Sequence, residues 1–125
     1  MSQDIISDSL NQIMNAKRVE KKSLVLDRYS KVLLRVLEIM QEKEKITYSL
    51  NEEEKTISVK ILNLNECKAV KPRYYAGSKQ IEKYLRRFLP SRKLGCLLIS
   101  TNKGMMVHQE AISNKIGGSL IAYFY

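Results

Sequence analysis

The sequence predicts an α/β fold (α+β in its layout) of two small lobes, an N-terminal helix–strand–helix–hairpin lobe over 1–64 and a C-terminal mixed α/β lobe over 65–125. Three observations predict it. Apolar residues recur at helical spacing in some segments, alternate with polar ones in others, and run almost unbroken near position 97. The chain has 125 residues, 44% of them apolar and spread along the whole length, enough for one domain or two small lobes with a real core. The net charge of +9 is shared unevenly: 11 Lys and Arg oppose 10 Asp and Glu in residues 1–62, whereas 11 oppose 3 in residues 63–125. Nearly all the excess therefore belongs to the second lobe, where Glu66, Glu82 and Glu110 are the only acids. Charge of this kind speaks to partners, and a polyanion touching mainly that half is the simplest expectation.

Each element has its own signal. Ile5, Ile6, Leu10, Ile13 and Met14 fall on one face of a helix over 4–15. The basic stretch Lys17-Arg18-Val19-Glu20-Lys21-Lys22 leads to a short strand, Ser23 to Leu26. Ser30 is placed to cap a second helix that gathers Val32, Leu33, Val36, Leu37 and Met40 on one side. Its outer charges are mixed in sign, as on a solvated face. Alternating residues 46–50 and 55–62 predict a hairpin around the polar turn Asn51–Glu54, whose acidic tip would repel phosphate. The second lobe opens with an extended Cys67–Val70 and the turn Lys71-Pro72-Arg73. Ser78 to Phe88 reads as a helix ended by Pro90, and Leu94 to Ile99 as a buried strand. A sharp turn at Ser100–Gly104, a short helix over Met105–Asn114, a second turn at Gly117-Gly118 and a final aromatic strand, Ser119 to Tyr125, complete the expectation. Met14, Met40, Met105 and Met106 read as core or turn filler.

Several function classes find no support. No apolar run approaches the roughly 18 residues of a membrane span, and the N-terminus lacks the basic and hydrophobic regions of a signal peptide. Cys67 and Cys96 stand 29 residues apart with no CxxC, and His108 is the only histidine, so neither a disulfide scaffold nor a zinc site is expected. Two reduced cysteines suit the cytoplasm. His108-Gln109-Glu110 is not HExxH, no nucleophile or acid is tied to His108 by motif, and no glycine pattern matches a nucleotide loop. His108 is expected to cap or decorate the short helix. No cofactor and no small-molecule substrate are expected. An RNA-modifying or nucleotide-hydrolysing enzyme would require turnover abolished by His108→Ala.

Two segments are candidates for contact with nucleic acid. The turn Ser100-Thr101-Asn102-Lys103-Gly104, read as joining a strand to a helix, would project backbone amides and two hydroxyls beside one charge. Taken alone, its polar residues read more simply as a turn that caps the helix. The segment Lys71-Pro72-Arg73-Tyr74-Tyr75 sets two cations beside two aromatics, able to pair with phosphate and stack on a base. Its alternative is an exposed loop whose tyrosines pack on the core. Lys83, Arg86, Arg87, Arg92 and Lys93 could extend the same surface, although helix cations are usually just solvated.

Spaced motifs in order along the chain carry a resemblance. Asp8-Ser9-Leu10 with Ile13 and Asn15-Ala16, then Ser30-Lys31, then Cys67 with Ala69-Val70-Lys71-Pro72-Arg73-Tyr74, lead to the densest stretch. That stretch is Leu89-Pro90-Ser91-Arg92, Gly95, Ser100 to Met106, His108, Glu110-Ala111 and Gly117-Gly118. Together they resemble the universal small-subunit ribosomal protein S-eight family, in its archaeal and eukaryotic branch (S-fifteen-a in eukaryotes). The resemblance implies a two-lobed protein of the ribosome that binds the central domain of small-subunit rRNA directly, among neighbouring ribosomal proteins. It implies base-edge and shape reading by Ser100, Thr101, Asn102 and Gly104, charge from Lys103, and backbone contacts from Ser30, Lys31, Arg73 and Arg92. Lys71 and Tyr74 join that set through the local reading of their segment. A regulatory protein recognising an mRNA copy of the same RNA shape is the alternative. The chain departs from the family pattern at Lys68 and Arg28, where glycine and proline are usual, near Glu20, where a glycine is expected, and in a shorter hairpin tip at Asn51–Glu54.

Overall fold

A computed structural model describes residues 5–71, 73–90 and 95–125. Among them the chain forms two compact units, the first ending at Cys67 and the second running Lys68–Tyr125. The first unit holds α1 (Ile5–Arg18), β1 (Ser23–Leu26), α2 (Lys31–Glu42), β2 (Ile46–Asn51) and β3 (Thr56–Ile61). Its antiparallel sheet has the order β1-β3-β2. Ile46 pairs with Ile61 and Asn51 with Thr56, so the hairpin buries Ile57 and Val59 on one face and leaves Ser58 and Lys60 on the other. Helix α2 packs on β2, and α1 on β1 and α2. Leu10, Ile13, Leu33, Val36, Leu37 and Met40 are buried, and each large one contributes about 1.5–3 kcal/mol relative to exposure.

Ser30 caps α2 as its sequence position predicts: its Oγ accepts from the Leu33 amide at 3.2 Å. At the hairpin tip, the Asn51 side chain accepts from the amides of Glu53 (3.1 Å) and Glu54 (3.3 Å), and Lys55 takes a φ of 55°. The short tip is thereby closed by its own asparagine.

Three helix ends share one device. After α1 the Lys21 amide donates to the Ala16 carbonyl (2.9 Å) and the Glu20 amide to Lys17 (3.0 Å), with Glu20 at φ 62°. After α2 the pairs are Lys45 to Met40 (3.0 Å) and Glu44 to Gln41 (3.0 Å), with Glu44 at φ 60°. These are Schellman ends, whose left-handed residue is usually glycine. The departure noted near Glu20 falls on such a position. Replacing Glu44 by glycine relieves left-handed strain, partly offset by greater freedom of the unfolded chain. Glu44→Gly is expected to raise stability by about 0.5–1 kcal/mol, read as a higher urea midpoint at unchanged slope.

Strand β4 (Cys67–Ala69) starts on the last residue of the first unit and continues into the second, which also holds β5 (Tyr75–Ala76), α3 (Ile81–Phe88), β6 (Cys96–Thr101), β7 (Gly104–Val107), α4 (His108–Ser113) and β8 (Gly118–Phe124). The sheet of the second unit runs β4-β8-β6-β7, with β5 also paired to β8. Leu85 of α3 shares a core with Leu97, Ile99, Met106 and Leu120. The register slips between Leu98 and Ile99: Leu98 faces Ala122, whereas Ile99 faces Leu120. Ile121 is the extra residue, and its carbonyl accepts from Val70 at 2.9 Å. This bulge turns Leu120 to the core side with Leu97 and Ile99, and leaves Ser119 opposite Ser100.

Four expectations need correction. Helix α3 starts at Ile81 rather than Ser78, because Gly77 and Gln80 close a turn first: the Gln80 amide donates to Gly77 at 2.8 Å, and the Gln80 side chain accepts from the Gly77 amide at 3.2 Å. Met105 to Val107 are strand, not helix, because Gly104 reverses the chain into a hairpin with β6. Gly118 lies in β8 rather than in a turn. His108 begins α4 but does not decorate it: the ring is 2% exposed, and its Nδ1 accepts from the Leu97 amide at 3.2 Å. Residues Leu94 and Arg92, which fall in a predicted strand and a predicted contact, lie outside the described residues.

Candidate nucleic-acid interface

The Ser100–Gly104 segment is the β6–β7 hairpin turn. Thr101 pairs with Gly104 across the hairpin, and Gly104 takes φ 106°. The Thr101 hydroxyl donates to the Gly104 carbonyl (2.8 Å) and accepts from the Lys103 amide (3.1 Å). The turn is therefore fastened from inside, and Thr101 offers outward only a lone pair and a methyl group. The expectation that this corner opens a helix, with amides aimed at an anion, does not hold. What projects is side chains: Asn102 and Lys103 at the tip, both exposed, and Ser100 at the strand end.

A second approach builds the opposite wall. Helix α4 ends in the same Schellman manner, with the Ile116 amide on Ala111 (2.9 Å), the Lys115 amide on Ile112 (3.1 Å) and Lys115 at φ 56°. The chain then enters β8 through Gly117-Gly118. A Cβ on Gly118 would stand 2.2 Å from the Ser100 carbonyl oxygen, and one on Gly117 2.5 Å from that of Ala76. Only hydrogen at both α-carbons lets β8 slide between β5 and β6. Ser119 lies opposite both Ser100 and Tyr75.

The result is an open groove of about 450 Å³, lined by Tyr75, Ser100, Thr101, Asn102, Lys103 and the segment Lys115–Ser119. Among the described residues no carboxylate lines it, and a lysine stands on each wall. Two serine hydroxyls, an amide and one tyrosine supply donors and acceptors of both kinds. Tyr75 is 70% exposed, and an exposed ring can stack on a base or sugar.

The residues singled out from sequence divide as follows. Ser100, Thr101, Asn102 and Lys103 line the groove, and Gly104 sets the turn beside them. Lys71 and Arg73 are exposed just before β5. Tyr74 is half-buried in a ladder of rings: it stacks on Tyr84 at 5.8 Å, Tyr84 on Phe88 at 6.4 Å and Phe88 on Tyr123 at 5.4 Å, with the Arg87 guanidinium 5.4 Å from the Tyr74 ring centre. Ser30 and Lys31 stand at the start of α2 in the first unit, with the Ser30 hydroxyl engaged as a cap. The groove also contains Lys115, Gly117, Gly118 and Ser119, which sequence reasoning did not assign to it. Gly117-Gly118 was the available signal, since adjacent glycines at a strand start suggest close backbone approach.

The buried groups elsewhere are structural. The Cys67 thiol is pushed up to about 12, by burial first and by the Glu66 carboxylate second. It remains a thiol at neutral pH, sits 3.7 Å from the Leu10 carbonyl, and is no nucleophile. No helix among the described residues is long and apolar enough to cross a membrane.

Known proteins match the chain along its full length. The family model described as ribosomal protein S8 matches residues 4–125. The small ribosomal subunit protein uS8 of Thermoplasma acidophilum is 34% identical over 129 aligned positions, covering all of both chains. The uS8 protein of Picrophilus torridus is also 34% identical over 129 positions with the same full coverage. A complete family match and two relatives aligned end to end leave one conclusion: the chain belongs to the ribosomal protein S8 family.

Proposed function

We propose that this protein, a structural constituent of the small ribosomal subunit and not an enzyme, binds the central domain of small-subunit rRNA through the groove of its second unit. The cytoplasmic ribosome is its place of action. The observation that carries the reading is the carboxylate-free groove with Lys103 and Lys115 on its walls and hydroxyls between them. Phosphates are neutralised at the rim, while Ser100, Asn102, Ser119 and the Tyr75 ring read edges and shape within. An irregular stretch of an RNA helix fits such a site better than a regular A-form duplex, whose deep groove side chains do not enter. Arg73, Lys71 and Arg92 add backbone contacts, Tyr74, stacked on Tyr84, extends the surface beside Tyr75, and Ser30 and Lys31 contribute from the first unit. RNA and neighbouring ribosomal proteins hold the protein in turn.

Gly104→Val provides the test. A Cβ there meets nothing within 4 Å, so the substitution acts only through the φ of 106°. Relaxing the turn should lower affinity for the central-domain rRNA helix roughly tenfold in a filter assay. Thr101→Val, which removes both internal bonds of the turn, should behave similarly. Lys83→Ala should weaken binding slightly and without regard to sequence. Normal binding by a folded Gly104→Val protein would show that the turn is not the reader.

A further inference from the structure

The basic segment between α1 and β1 has no part in the RNA groove, yet the structure builds it into a second surface. A groove of about 490 Å³ lies between α1 and β1, lined by Gln12, Asn15, Ala16, Val19 and the stretch Lys21–Val25 other than Lys22. Its rim is apolar where a surface is usually polar: Val19 is 66% and Val25 54% exposed. Beside it runs an open strand edge, for β1 is the end strand of its sheet. The Ile61 amide donates to the Lys22 carbonyl at 2.8 Å, which fixes the alternation. Lys22, Leu24 and Leu26 aim their backbone groups at β3, and Ser23 and Val25 aim theirs outward. Among the described residues no hydrogen bond claims those outward groups.

Cations outnumber acids around this edge: Lys21, Lys22, Arg28 and Lys60 stand against Glu20 and Asp27. Lys21 and Lys22 precede it, and Lys60 faces Ser23 across the sheet. Lysines at an edge repel a second copy of the same edge, so pairing with itself is disfavoured. They attract a strand that carries carboxylates. A strand edge shows carbonyl acceptors as well as amide donors, which a peptide matches and a phosphate backbone does not. We propose that the β1 edge and its groove receive an extended polypeptide segment of a neighbouring protein in the small subunit, with acidic residues set toward the lysines and small apolar ones toward Val19 and Val25. Main-chain bonds to Ser23 and Val25 fix its register, in the manner of strand addition.

The inference is independent of the RNA groove, and its test reads this edge alone. A photo-crosslinking benzophenone residue is placed at position 23 of the full chain, which is assembled into small subunits and irradiated. The expected product is a peptide adduct whose segment carries Asp or Glu. Val25→Pro deletes only an outward amide and leaves the β3 ladder intact. It should reduce adduct yield roughly fivefold, the effect of one lost hydrogen bond. The pair Lys21→Glu and Lys22→Glu should reduce it similarly, and serves if the proline variant does not fold. An adduct with RNA, a peptide lacking acids, no adduct, or a yield indifferent to the folded variants would each overturn the proposal.

Discussion

Gly118→Ala is expected to lower the stability of the protein by about 3 kcal/mol and its melting temperature by roughly 10 °C. The reason is geometric. The new methyl carbon would lie 2.2 Å from the Ser100 carbonyl oxygen and 2.8 Å from its carbon. These are backbone atoms of a central strand, paired on one side with β7 and on the other with β8. They cannot swing away as a side-chain tip can. Strand β8 must instead lift off β6 near the Ser100–Ser119 pair, which widens the groove at its floor. The substitution should therefore reduce RNA binding even at temperatures where the protein stays folded. Thermal unfolding followed by circular dichroism, with binding measured well below the midpoint, checks both parts. A melting curve unchanged by the methyl group would mean that β8 has slack that the geometry does not show.

His108→Ala is expected to cost about 3–4 kcal/mol, and to do so with no enzymatic consequence. The ring is buried, and its Nδ1 is the acceptor for the Leu97 amide. Truncation leaves a cavity and strands a donor inside the core, two losses that add. His108→Phe restores most of the volume but not the acceptor, and should recover about half of the loss. Urea titrations of the three proteins separate the packing contribution from that of the hydrogen bond. If alanine and phenylalanine cost the same, packing contributes nothing; if phenylalanine costs nothing, the hydrogen bond contributes nothing.

The value of this histidine shows where sequence reading succeeded and where it stopped. Local signals were legible. Ser30 sits where a cap belongs and makes the cap bond, and alternating residues around Asn51 form the expected hairpin. The α+β class and the absence of a catalytic motif followed from such patterns, and family membership agrees with both. Long-range pairings were not legible. The sequence from Met105 onward is equally compatible with a strand and a short helix, and only the partnership with β6 decides for strand up to Val107. Nothing in an apolar run such as Leu120–Phe124 announces a bulge at Ile121, because that extra residue exists only relative to β6. Lys115 escaped assignment for a related reason: its place on the groove wall depends on how α4 ends and on where β8 starts. Of the neighbouring tyrosines, the two-residue β5 strand alone decides that Tyr75 faces outward, while Tyr74 joins the ring ladder.

The hydroxyl that fastens the β6–β7 turn has one more consequence. Since Thr101 satisfies the Lys103 amide and the Gly104 carbonyl by itself, the backbone of this corner is set before anything docks. Association then has to still only the rotors of a few projecting side chains, at about 0.5–1.5 kcal/mol each, and no main chain. A recognition loop prepared in this way loses little conformational entropy at the moment of assembly, so most of its interaction energy survives as affinity.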